Sequence, residues 1–233
     1  MIKYSIVIPC YNEEKNIPLI LDRFGSIINR DDIEVILVDN GSKDNSAELL
    51  ERLLPSYPFA RKVKVEVNQG YGFGIVSGLH EAKGEFIGYT HADMQTDPAD
   101  VIKGIDILES QQKPEMCFIK GNRKGRSVFD MFFTVGMGIF ESVYMGKLLW
   151  DINAQPNIFH AKFFKGLSNV PKDFSLDLFL LYTAKKSGLR ICRFDVVFPP
   201  RIHGSSSWNT GLRAKWKFIK RTIEFSLRLK KEI

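Results

Sequence analysis

The stretch Tyr89–Asp100, YTHADMQTDPAD, follows an apolar run and leads into a helical pattern, and its reading decides how the chain is taken. A divalent cation on a diphosphate is typically held by one or two carboxylates plus the phosphates themselves. The usual pattern sets two acids one residue apart, but here the first position is His91 and only Asp93 is acidic. Asp97-Pro98 then opens a helix, with proline at the first helical position, where its missing N–H costs nothing.

Working outward, apolar strand-like runs alternate with helical patterns through the first half of the chain. Tyr4–Pro9, Ile33–Asp39, Val63–Val67, Phe86–Thr90 and Met116–Lys120 read as strands. Asn16–Ile28, Asp44–Leu54 (capped by Ser42 or Asp44), a glycine-rich start at Gly70–Gly78 and Pro98 to about Ser110 read as helices. Such alternation predicts βαβ units and a mainly parallel sheet flanked by helices. Ligands of open parallel sheets collect at the carboxyl ends of the strands. Three polar clusters stand there: Pro9 to Glu13, Asp39 to Ser42, and His91 to Asp93. Gly70, Gly72 and Gly74 lack the third glycine of a dinucleotide fingerprint and follow the wrong strand, so turn and packing roles are expected for them.

With 233 residues, 44% hydrophobic, the chain suits one ordinary domain with a real core, expected over residues 1–210, followed by a helix over 211–233. Cys10, Cys117 and Cys192 lie far apart without a CxxC, which argues against a disulfide frame or a zinc site. The N-terminus does not read as a signal peptide, so a cytoplasmic protein is expected. The net charge of +6 belongs to the tail, where Arg213–Glu232 holds eight basic and two acidic residues. Leu212, Trp216, Ile219, Ile223 and Leu227 recur there at helical spacing, which makes a basic amphipathic helix suited to an anionic membrane surface or to packing on its own domain. Nothing calls for a nucleic acid partner. In the apolar segment Val128–Trp150, the uncharged core Met131–Phe140 is only ten residues. That is too short to span a bilayer and fits a buried or interfacial helix.

Taken in order, VIPCYNEEKNI, VDNGSKDNS, NQGYGFGIVSGLHEAKGEFIGYTHADMQTDP, GNR and FPPRIHGSSSW resemble glycosyltransferase family 2 over roughly Tyr4 to Ser207, with the dolichyl- and polyprenyl-phosphate sugar synthases as the nearest pattern. The resemblance implies a GT-A fold, an inverting transfer from a UDP- or GDP-sugar, and Mg2+ or Mn2+. It implies that Pro9, Tyr11 and Glu13 line the base and ribose and that Asp39 bonds the base. Asp93 and Gln95 would sit at the metal and diphosphate, and Arg123 of GNR and Arg201 of PPRIHG would hold phosphates. Two departures stand out: H-x-D replaces D-x-D, and Asp151–Pro156 (DINAQP) replaces a Cys-Gly loop. In DINAQP, Asn153 and Gln155 are sugar-hydroxyl ligands or turn residues.

One carboxylate can still anchor a cation whose other ligands are phosphates and water. His91 is then a supporting donor, or a ligand in its own right to manganese, and the always-ionised arginines add positive charge. The acceptor decides whether a base is needed. A hydroxyl requires one, and Asp177 in FSLDLFL is the candidate unless it faces solvent. A lipid phosphate arrives ionised, and Lys120, Arg123, Lys124 and Arg126 form a cationic cluster suited to it, next to the apolar segment. The expected function is therefore transfer of a sugar to a polyprenyl phosphate or lipid-linked glycan at the inner membrane face. The alternatives are a soluble hydroxyl-directed transferase using Asp177, or a catalytically impaired protein that still binds a nucleotide-sugar.

Overall fold

The structure is a computed structural model and describes residues 1–125, 128–199, 203 and 212–232. Its strands are β1 (Tyr4–Cys10), β2 (Ile33–Asn40), β3 (Ala60–Val65), β4 (Phe86–Tyr89), β5 (Cys117–Lys124), β6 (Asn157–His160) and β7 (Arg190–Val197). Its α-helices are α1 (Ile17–Ile27), α2 (Ser46–Leu53), α3 (Tyr71–Glu81), α4 (Pro98–Glu109), α5 (Val128–Met145), α6 (Ala161–Lys165), α7 (Leu176–Lys186) and α8 (Leu212–Glu232).

The strands form one sheet in the order β3-β2-β1-β4-β6-β5-β7. All the pairings are parallel except those of β6, which runs antiparallel to both β4 and β5. The core strands are mostly apolar because both faces are covered, as parallel sheets require, and two buried exceptions, Ser5 and Glu34, pair with each other at 2.5 Å. Alternate side chains serve opposite faces. Val7, Ile36 and Val38 pack with α3, α7 and α8, whereas Ile6, Ile8, Val35 and Leu37 pack with α1 and α4. Helix α3 lies close enough that a Cβ at Gly78 would stand 2.4 Å from Val7 Cγ1, which gives that glycine its packing role.

Strand β3 begins three residues earlier than the expected Val63. Its register is set by β2, from Val35 opposite Ala60 to Asn40 opposite Val65, and β2 ends there. The short β6 was not apparent from the apolar pattern: NIFH is four residues, all buried. Helix α8 lays Phe225 and Leu229 into the core beside α5. Among the described residues, no helix is long and apolar enough to cross a membrane.

Candidate active site

The sheet brings the carboxyl ends of β1, β2 and β4 side by side, with Cys10 opposite Asp39 and Val7 opposite Tyr89. The loops after β1 and β2 are stitched together. The Asn12 amide donates to Ser42 Oγ at 3.1 Å, the Lys43 amide to Asn12 Oδ1 at 2.8 Å, and the Glu13 amide to Ser46 Oγ at 2.9 Å. Glu13 itself accepts from Asn16 Nδ2 at 2.6 Å. Asp39 is buried, and its Oδ1 accepts from the Ser42 amide at 3.0 Å, which ties down the turn at the strand end. Pro9 lies within β1, and Tyr11 is exposed just beyond it. The four residues expected to hold a nucleoside are thus gathered at one edge by short, local bonds between two loops.

At the end of β4, Asp93 is buried and its Oδ1 accepts from the Gln95 amide at 3.1 Å. Met94 between them has a φ of 57°, a left-handed conformation that costs a non-glycine residue energy. Asn12 and Asp151 also have positive φ, so three of the four such non-glycine residues described lie in loops of this site. The Gln95 carboxamide nitrogen donates to the Pro199 carbonyl at 3.0 Å. That bond draws the start of the PPRIHG segment to the H-x-D turn, although Arg201 itself lies outside the described residues, as does Arg126.

No group of three or more His, Cys, Asp and Glu side chains gathers as a metal cage among the described residues. The one acid of the turn, the buried Asp93, with His91 and Gln95 two residues away on either side, would suit a cation that takes most of its ligands from a diphosphate and water, the way magnesium is commonly held.

The cationic cluster differs from expectation. Lys120 is 1% exposed, and its ammonium donates to the Ala154 carbonyl and to Asn157 Oδ1, both at 2.8 Å. Burial pushes its pKa down to about 7. Arg123 is paired with Asp151, its Nε at 2.9 Å from Oδ1, with Nη2 on the same oxygen and its backbone amide on Oδ2 at 2.8 Å. Lys124 alone of the described three is well exposed, 3.7 Å from Asp195. In this structure, Lys120 and Arg123 fasten the DINAQP loop to β5.

Asp177 does not face solvent. It is 3% exposed, and its Oδ1 accepts from the Tyr89 hydroxyl at 2.7 Å and from Asn157 Nδ2 at 3.4 Å. Its Oδ2 accepts from the Tyr71 hydroxyl at 3.2 Å. Burial and the Asp177 charge hold both phenols well above the usual tyrosine range, so they stay protonated donors. Tyr71 also accepts from Gln155 Nε2, and its ring lies 6.2 Å from that of His91. Nothing in the sequence singles out Tyr71, Tyr89 and Asn157, because only the fold brings them to Asp177. Among the described residues, six buried polar side-chain atoms have no partner, and four of them, on Asn40, Thr90, Thr96 and Gln155, lie at or just beyond these strand ends.

An open sheet with these strand ends and this antiparallel insertion is a GT-A fold, and solved structures of similar shape bear this out. Glucosyl-3-phosphoglycerate synthase from Mycobacterium tuberculosis, in complex with phosphoglyceric acid, superposes with a TM-score of 0.75 at 19% identity, covering 97% of this chain and 79% of that one. The same synthase in complex with Mn2+ and uridine-diphosphate-glucose gives a TM-score of 0.72 at 19% identity, covering 97% and 77%. At such identity the likeness shows the fold alone. Residues 5–134 match the family described as Glycosyl transferase family 2. The chain belongs to that family. Undecaprenyl-phosphate 4-deoxy-4-formamido-L-arabinose transferase from Yersinia enterocolitica is 35% identical over 111 residues, 46% of this chain and 34% of the relative. The Pseudomonas fluorescens protein of that name is 36% identical over 133 residues, 52% and 36% respectively. The chain thus spans about a third of the length of the curated relatives it matches.

Proposed function

We propose that the protein is a cation-dependent glycosyltransferase that moves a sugar from a nucleotide-diphosphate donor to a polyprenyl phosphate at the inner membrane face. Pro9, Tyr11, Glu13 and Asp39 hold the nucleoside. Asp93, supported by His91 and Gln95, holds a Mg2+ or Mn2+ ion, which supplies positive charge for the departing diphosphate. Arg201 adds charge from the segment that Gln95 tethers. Residues 1–210 form the catalytic unit, and α8 lays its basic face on anionic lipid.

The observation that carries the choice of acceptor is the state of Asp177. A hydroxyl acceptor needs a base within hydrogen-bond reach. Asp177 is the residue that reading relies on, and both its oxygens are engaged, Oδ2 by Tyr71 and Oδ1 by the buried Tyr89 and Asn157. A phosphate acceptor is already an anion and needs only positioning. The names of the relatives, which act on undecaprenyl phosphate, support the same choice.

The test is calorimetry of the purified protein with UDP-glucose, UDP-galactose, UDP-N-acetylglucosamine and GDP-mannose, with and without Mg2+ or Mn2+. Transfer to undecaprenyl phosphate in detergent is then followed by chromatography. Cation-dependent binding of at least one donor is expected, and binding of none of them would remove the proposal.

A further inference from the structure

Gln155 is 1% exposed, and its carboxamide is fixed from one side. The Tyr71 hydroxyl donates its proton to Asp177 Oδ2 at 3.2 Å. The Tyr71 oxygen is thereby left to accept from Gln155 Nε2. That chain of donors sets the amide orientation, and Gln155 Oε1 is left as an acceptor with no partner among the described residues. The backbone on either side of it is also fixed. Lys120 holds the Ala154 carbonyl at 2.8 Å, and a Cβ at Gly121 would stand 2.1 Å from the Gln155 carbonyl oxygen. Rigid placement with an unmet acceptor describes a group waiting for a donor, because buried polar atoms are nearly always paired. The ring of Tyr71, which holds Gln155, lies 6.2 Å from that of His91. A sugar joined to a diphosphate seated at the H-x-D turn would extend into this neighbourhood.

We propose that Gln155 is a specificity residue, whose Oε1 accepts a hydrogen bond from a hydroxyl or amide N–H of the transferred sugar, and that Tyr71 positions it. The inference rests on the donor reading above and adds which side chain reads the sugar.

The experiment compares dissociation constants for the bare nucleotide and its sugar conjugate, by calorimetry with Mn2+, taking the conjugate of the panel that binds the wild-type protein best. Gln155→Leu should raise the ratio of the conjugate's dissociation constant to the nucleotide's roughly tenfold, the worth of one strong hydrogen bond. The nucleotide constant should stay unchanged, which also confirms folding. Tyr71→Phe, which keeps the ring and frees the carboxamide, should raise the ratio in the same direction by less. An unchanged ratio in Gln155→Leu means that Oε1 faces a water only and overturns the inference while leaving the donor reading intact. A parallel loss of both ligands assigns Gln155 a purely structural role and overturns it too. A wild-type protein that binds no nucleotide or conjugate overturns both readings at once.

Discussion

The Tyr89 hydroxyl stands 2.7 Å from Asp177 Oδ1, joining the last residue of β4 to the first turn of α7 across 88 residues of sequence. The contact makes Asp177 a keystone under the site rather than a group at its surface. With a phosphate acceptor, Asp177→Asn should lower kcat by less than tenfold and lower Tm by several degrees, since a lost hydrogen bond to a charged group is worth roughly 1.5–3 kcal/mol. Steady-state kinetics and a thermal melt measure both. A fall in kcat of about 10²–10⁴ with Tm intact would instead assign the residue as a base.

Asp93 is the one acid of the H-x-D turn. Asp93→Ala should abolish cation-dependent nucleotide binding, and His91→Asp should strengthen cation binding by adding the second carboxylate. Titration with Mn2+ in the presence of UDP reads both. An Asp93→Ala protein that binds as wild type does would show that the cation sits elsewhere.

Arg123 and Asp151 are buried together, at 10% and 3% side-chain exposure. Removing one partner strands the other's charge. Asp151→Ala should therefore cost about 3–5 kcal/mol, seen as a lower urea midpoint. A loss below about 1 kcal/mol would mean that Arg123 finds another anion or water.

Glu141 of α5 is buried against Ser226 of α8, whose Oγ lies 2.7 Å from both carboxyl oxygens and 2.8 Å from the Thr222 carbonyl. The serine has one proton and the carbonyl can only accept it, so a neutral Glu141 best completes the set. Burial pushes its pKa up to about 7 from 4.5. The folded state then binds the proton more tightly than the unfolded chain does. Stability is retained below pH 4.5 and falls as pH rises from 4.5 to 7, by up to roughly 3 kcal/mol. Glu141→Gln should match wild type near pH 4 and melt higher at pH 7.5. Equal melting curves at both pH values would show that the carboxyl ionises freely. Lys120, whose pKa is lowered to about 7, acts above that pH and cancels in this comparison.

On α8, Trp216 is 67% exposed and Lys220, Arg221 and Arg228 are exposed, while Phe225 and Leu229 are buried. On α5, Val143 is 79% exposed. Sedimentation with vesicles containing phosphatidylglycerol should carry the protein down, less so at high salt. Lys220→Glu with Arg228→Glu should weaken it by about 1 kcal/mol per charge removed, and more for the reversal. Equal sedimentation with neutral vesicles would remove the electrostatic part of the idea.

The central sheet was legible because β1, β2 and β4 are mostly apolar runs ended by polar turns, and burial on two faces leaves that mark in the sequence. The loops after β1 and β2 were legible for a related reason, since their bonds join residues at neighbouring strand ends. By contrast, β6 carries only four residues and no alternation, and β7 alternates but follows no turn signal strong enough to place it. Lys120 looked like one more cation in a basic run.

What the sequence determined alone was the order of strands and helices in the first half of the chain, the family motifs and the H-x-D turn, all of which are set by patterns within about ten residues. Only the tertiary structure decided that Lys120 and Arg123 face inward, that Asp177 sits beneath two tyrosines, and that Gln155 is held with an acceptor to spare. Their partners lie 28 to 106 residues away. The free energy of a buried charge or amide depends on what surrounds it, and those surroundings exist only once the sheet has closed over its loops.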